Sequence, residues 1–279
     1  MRVTRLLVCA AFAAALSASL LAQQAPSGFH TVNCLKIKTE KSGEFHKWVA
    51  DVLQKYAQSR VDSGAVSAWY LLRSVIPQGA SATCDYLTVS FYPGAPPEPL
   101  SPERMSEALK KAGVSMTAEE YVARRDSIAT LISSQLFRNI DSVGSAQKGG
   151  YLSVAYMKTA NLEDWLALEK KLWKPFAEQM AKDGVQSGWS LNIRAFGQDS
   201  ELPYQGVTVD VFPNWDAVWK DDSQFVDRLK KVHPQRDPTA IFEQFTKARQ
   251  PPPFLSPGTS AAAEFLRLIR KSSFRRRTR

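Results

Sequence analysis

The sequence predicts an α+β protein made of two consecutive modules, each of order β-α-β-β-α-β. Three observations predict it. The chain resembles itself at a constant offset of 120 residues, apolar stripes at helical spacing recur between strand-like runs, and Gly-containing stops fall at matching places in both copies.

At the offset of 120, Thr31 to Pro93 aligns with Tyr151 to Pro213 without a gap, and eleven of 63 columns are identical. Gly64 falls on Gly184, Ser67 on Ser187, Trp69 on Trp189, Leu71 on Leu191 and Pro93 on Pro213. Where residues differ they keep their character: Phe45 meets Trp165, Tyr56 meets Phe176 and Tyr92 meets Phe212. A module of about 120 residues is large enough to close its own core.

Each element follows from local pattern. Thr31 to Thr39 and Tyr151 to Thr159 are short apolar-rich runs that read as first strands. Phe45, Trp48, Val49, Val52, Leu53 and Tyr56 then recur at helical spacing, as do Trp165, Leu168, Leu172, Phe176 and Met180. Pro175 is expected to kink the second of these helices or to start a new turn. The next two strands read as Val66 to Val75 with Tyr86 to Tyr92, and Gln186 to Ala195 with Gly206 to Phe212. Second helical regions follow over 102–111 with 118–134, and over 215–231 with 238–248. Leu136 to Val143 reads as the fourth strand of the first copy, whereas Pro251-Pro252-Pro253 leaves the matching strand of the second copy open.

This order is the ferredoxin-like split βαβ arrangement. Together with the Trp165 helix, the Gly184 to Trp189 segment and the strand ending at Phe212-Pro213, it resembles the dimeric α+β-barrel superfamily, including the NIPSNAP and antibiotic-biosynthesis monooxygenase families. The resemblance implies a pseudo-dimeric α/β barrel in which the two modules, 29–149 and 150–250, pack sheet to sheet. It further implies a cofactor-independent monooxygenase or isomerase as one reading of function. Haem-binding relatives make His46 conceivable as an axial ligand, yet nothing else in the sequence supports haem, so no cofactor and no metal is expected.

Residues 1–22 read as an export signal. Arg2 and Arg5 precede an apolar run from Leu6 to Leu21 and a small residue, Ala22, and the run is short for a membrane span. A secreted or periplasmic location follows. Of the net charge of +9, Arg2 and Arg5 carry two, and residues 259–279 hold seven Lys or Arg against Glu264. The modules are therefore nearly neutral, which argues against nucleic acid as a partner. Residues 251–279 form a Pro-rich then basic tail. Its mixture of Phe265, Leu266, Leu268 and Ile269 with arginines could touch a membrane surface, although a disordered basic end is the simpler reading. Cys34 and Cys84 fall on neighbouring strands but several residues out of register, which favours two half-buried thiols over a bond. Either a monomer or a homodimer fits.

No His-Glu-x-x-His, Gly-x-Ser-x-Gly, Cys-x-x-Cys or phosphate-loop motif occurs. Most tryptophans fall on core stripes, and Trp69 and Trp189 occupy one repeated position. The informative polar residues are in the second copy. If Val207, Val209 and Val211 meet the helices, Thr208, Asp210 and Phe212 face the barrel interior. Ser190, Asn192 and Arg194 share a face of the preceding strand, and a hairpin centred near residue 201 sets Asn192 across from Asp210 with Arg194 diagonal. The first copy has Leu72, Ser74 and Ser90 at those three positions. Asp210, Asn192, Arg194 and Thr208, with Tyr156 on the first strand, are thus the candidate ligand-binding residues. The partner expected is a small apolar or aromatic molecule held between the modules by a non-catalytic exported protein.

Overall fold

The computed structural model describes residues 28–195, 204–220 and 222–250; the export-signal and tail readings concern residues outside these. Strand β1 (Phe29–Ile37) leads into helices α1 (Ser42–Trp48) and α2 (Gln54–Asp62), joined without a break by a π turn, Val49–Leu53. Strands β2 (Ala68–Arg73) and β3 (Tyr86–Phe91) follow, then α3 (Pro102–Lys111), α4 (Ala118–Ile128) and β4 (Ala129–Gly144). The order then recurs. β5 (Tyr151–Thr159) leads into α5 (Leu162–Leu168) and α6 (Lys174–Lys182), again joined by a π turn, Glu169–Trp173. After β6 (Gly188–Arg194) and β7 (Gly206–Phe212) come α7 (Trp215–Trp219), α8 (Phe225–Val232), α9 (Pro238–Ala248) and the two-residue β8 (Arg249–Gln250).

The helical stripes place the core. Phe45, Trp48, Val52, Leu53 and Tyr56 are buried against Leu109, Tyr121 and Ile128 in the first half. In the second half Leu172, Phe176 and Met180 pack on Leu229, Ile241 and Phe245, while Trp165 and Ala177 pack on Trp189, Leu191 and Ile193 of the sheet. Pro175 starts a new turn, one of the two outcomes expected of it: it lies at the beginning of α6, directly after the π turn Glu169–Trp173.

The strands form one sheet of order β2-β3-β1-β4-β6-β7-β5-β8. The second four strands thus follow one another in the same order as the first four, and every pairing is antiparallel. Two separate sheets packed face to face, as expected from the sequence, are not what is found: the halves are joined edge to edge through β4 and β6. The cause is the length of β4. A capping box of Thr117 and Glu120 starts α4, which stops at Ile128 and not near residue 134. The chain then stays extended for 16 residues, pairing first with β1 from Ala129 and then with β6 as far as Gly144.

Glycine is required at that junction. Gly144 has φ of +61° and lies against Gly188 of β6. A Cβ on Gly144 would sit 2.1 Å from the Ser187 carbonyl oxygen, and one on Gly188 would sit 2.7 Å from that of Val143. Gly144→Ala is therefore expected to lower stability by about 2–4 kcal/mol, since strained φ and a clash with rigid backbone add. Urea unfolding of the variant checks this.

Cys34 and Cys84 are joined in a disulfide, with Cα atoms 5.3 Å apart, contrary to the expectation of free thiols. Cys34 does pair with Leu87 in the ladder, three residues from Cys84. However, Cys84 precedes β3, and the chain there turns back over β1. Lys36 Nζ holds that turn by donating to the Gly79 and Ala82 carbonyls and to Asp85 Oδ1, at 2.7–2.9 Å. Register along a strand does not govern residues that have already left it.

Candidate functional site

Cross-strand pairing and packing decide which polar residues meet. Trp189, Leu191 and Ile193 of β6 are buried beneath the second-half helices. Their partners on β7 are Asp210, Thr208 and Gly206, and paired residues share a face. Gly206 marks this as the helix side, because a Cβ there would enter the Trp165 ring at 2.2 Å.

The candidate residues therefore divide between two faces. Asn192 lies opposite Val207, not Asp210. The observed register differs by three residues from one centred near residue 201, and an odd offset exchanges the two faces of a strand. Asp210 and Thr208 point toward the helices, whereas Val207, Val209, Asn192, Arg194 and Tyr156 point to the face away from them, which is open at Tyr156 although Asn192 and Val207 on it are buried. Burying the aromatic and branched side chains of β6 sets this outcome: the valines of β7 would satisfy one face, but Trp189 and Leu191, which are almost wholly buried, outweigh them.

The open face carries an aromatic cluster. Phe137, Tyr204 and Val207 are buried together with Val32 and Val209 packed against them. The Arg194 guanidinium lies 5.2 Å from the Tyr204 ring centre, and the Tyr156 ring is 4.7 Å from the same ring on its own side. Tyr204 donates its hydroxyl hydrogen to Gln135 Oε1. Tyr156 is 41% exposed, so the cluster can be reached from solvent. The Asn192 amide is occupied: Nδ2 donates to Ser190 Oγ at 3.0 Å, and Oδ1 accepts from Asn139 Nδ2 at 3.0 Å. In the first half, His30 stacks between Phe91 and Phe137 at 4.9 and 5.5 Å, and burial lowers its pKa to about 4, so it is neutral.

The helix side holds a second cluster that the sequence reading missed in part. Glu169, the first residue of the second π turn, is fully buried. Its Oε1 accepts from Trp165 Nε1 and from Arg249 Nη2, each at 2.9 Å. Part of Asp210 reaches solvent, but its Oδ1 is sequestered and unpartnered, as is Glu169 Oε2. Burial, and then the charge of Glu169, push the Asp210 carboxyl up to about 7, against the hydrogen bond from Gln186 and the charge of Arg249. Burial also raises Glu169, opposed by Arg249 and its hydrogen bonds. The missed signal was an acid four residues after Trp165 and three before Leu172, inside an apolar helical stripe.

His46 lies on the exposed side of α1, with Nε2 2.8 Å from the Tyr86 hydroxyl. Among the described residues no group of three or more His, Cys, Asp or Glu side chains could hold a metal ion. Trp48, Trp165 and Trp189 belong to the core, while Trp215 and Trp219 are exposed on α7.

No family model and no curated protein matches the chain. Solved structures do resemble it. A proposed monooxygenase from Lactobacillus acidophilus NCFM is 12% identical, with 80% of this chain and 89% of that one covered and a TM-score of 0.45. A proposed monooxygenase from Fusobacterium nucleatum is 10% identical over 74% of this chain and 84% of that one, with a TM-score of 0.44. An anthrone oxidase-like protein is 12% identical over 80% and 86%, with a TM-score of 0.41. The fold is a mixed α+β one, and likeness at this level concerns backbone path and not chemistry.

Proposed function

We propose that the chain is an exported binding protein made of two tandem ferredoxin-like modules, which holds a small aromatic or apolar ligand on the open face of its sheet. The observation that carries this is the Tyr156–Tyr204–Arg194 cluster, in which two rings and a guanidinium stand at stacking distance over a valine-lined surface. Arg194 would favour a ligand bearing a carboxylate, sulfonate or phenolate. Asn192, with its amide already bonded, shapes the floor. The tandem reading draws support from the repeated strand order and from the two π turns, which begin 120 residues apart at Val49 and Glu169. Export draws support from the basic and apolar N-terminus and from a disulfide, which persists in oxidising compartments. The basic tail is a proposed second contact, with a membrane surface.

An oxygenase or isomerase using Asp210, Asn192 and Arg194 together has no support in this register, because Asp210 lies beneath the helices and the other two do not. Calorimetric titration of the mature chain with 2-naphthoate tests the binding reading. Tyr156→Ala and Arg194→Met should each weaken binding about tenfold, the value of one aromatic or cation–π contact. Undiminished binding in both variants, or no binding in the parent chain, would refute it.

A further inference from the structure

The acid cluster on the helix side is not needed to build its corner of the fold. In the first half the π turn begins with Val49 where the second has Glu169, and Trp69 pairs with Ser90 where Trp189 pairs with Asp210. Ala129, paired with β1, stands 120 residues before Arg249, paired with β5. The same architecture is thus made from Val49, Ser90 and Ala129, without ionisable groups. The second half instead places two carboxylates and one guanidinium there, of which Glu169 is fully buried and Asp210 and Arg249 are half-buried, and leaves Glu169 Oε2, Asp210 Oδ1, Arg249 Nε and Trp189 Nε1 sequestered without partners. Buried polar atoms left this way are costly, and where a simpler solution exists in the same chain they point to a use.

We propose that Glu169 and Asp210 form an acid pair sharing one proton, and that this proton makes the packing of β7 and β8 against the helices depend on pH. Three elements converge on the pair. Glu169 comes from the π turn and Asp210 from β7, while Arg249 comes from β8. The remaining polar groups around them, Trp165, Gln186, Trp189 and Ser153, which pairs with Asp210 on β5, carry no charge. Asp141 is engaged separately by Lys174 at 2.7 Å.

With the proton on Asp210, Glu169 is the one buried anion and Arg249 balances it. Losing the proton places two carboxylates beside one guanidinium in a half-buried corner, and one negative charge has no counterion. The strain is relieved by opening the sheet from the helices, which admits water at β7 and β8. Asp210 holds its proton more tightly when closed than when open. Protection of this region therefore falls as pH rises from the ordinary aspartate range toward about 7, by up to about tenfold per pH unit, and is level above that. The inference does not rest on what the open face binds.

Hydrogen exchange of the full mature chain, read by mass spectrometry at pH 5 to 8 and corrected for intrinsic rates, tests it. Peptides covering 206–212 should lose about tenfold or more of their protection between pH 5 and 7 relative to peptides covering 86–91, whose matching residue is Ser90. Asp210→Asn should abolish that difference. Carboxyl ¹³C titration of the unmutated chain gives an independent reading: one Asp should titrate near pH 7. Parallel behaviour of the two strands, a difference that survives in Asp210→Asn, or titration of every Asp below about pH 5 would each overturn the proposal.

Discussion

Breaking the Cys34–Cys84 bond is expected to cost about 4 kcal/mol. The bond closes a segment of 50 residues, and the entropy that such a crosslink removes from the unfolded chain amounts to about that figure at 25 °C. Small domains are stable by only about 5–15 kcal/mol, so the loss is a large fraction of the whole. The bond also has no counterpart in the second half, where the matching positions are Val154 and Tyr204. That half has Tyr204 and its aromatic neighbours where the first half has a covalent staple. Denaturant unfolding of a Cys34→Ser, Cys84→Ser variant should show the full decrease. A decrease below about 1 kcal/mol would mean that the 74–85 turn is held by Lys36 and not by the disulfide.

Stability is expected to fall as pH rises from about 4 to 7, through Asp210. Its carboxyl titrates at about 7 in the folded protein against 3.8 for the ordinary side chain, so the folded state binds the extra proton across that interval. Where the folded state binds more protons, unfolding becomes easier as pH increases, and the effect is level above about pH 7. A displacement of this size corresponds to at most about 4 kcal/mol, and water entering the corner reduces it, so about 2–4 kcal/mol is expected. Asp210→Asn removes the half-buried charge and keeps the shape. At pH 8 the variant should be more stable than the parent by about that amount, and at pH 4 the two should melt alike. Thermal unfolding at both values checks it. An equal or lower melting temperature for Asp210→Asn at pH 8 would show that the carboxylate is compensated by groups other than those around it here.

Much of the architecture could be read from the chain, and the parts that could not share one cause. Element order and the buried stripes followed from periodicity, because Phe45, Trp48 and Tyr56, or Trp165, Leu172 and Phe176, can only be grouped by a helix. What periodicity does not contain is relative placement. The face of Asp210 depended on the register between β6 and β7, and there a displacement of three residues reversed it. The joining of the halves depended on where α4 gives way to β4. Ala129 to Ser134 suits either element, and pairing with β1 decides for strand. The disulfide turned on a loop folding back. Of the candidate site, Tyr156, Asn192 and Arg194 do share a face, while Asp210 and Thr208 belong to the opposite one. Glu169 escaped notice because a single acid in an apolar stripe reads as a helix edge until a second buried acid is found beside it.

The division of these residues between two faces is the claim on which both the ligand site and the acid pair depend, and NMR of the labelled chain tests it directly. Register Trp189–Asp210 and Ile193–Gly206 predicts cross-strand NOEs within each pair, and contacts from the Trp165 ring to the Gly206 α-protons. NOEs joining Asn192 to Asp210, without any between the Trp165 ring and Gly206, would return Asp210 to the open face and contradict the account.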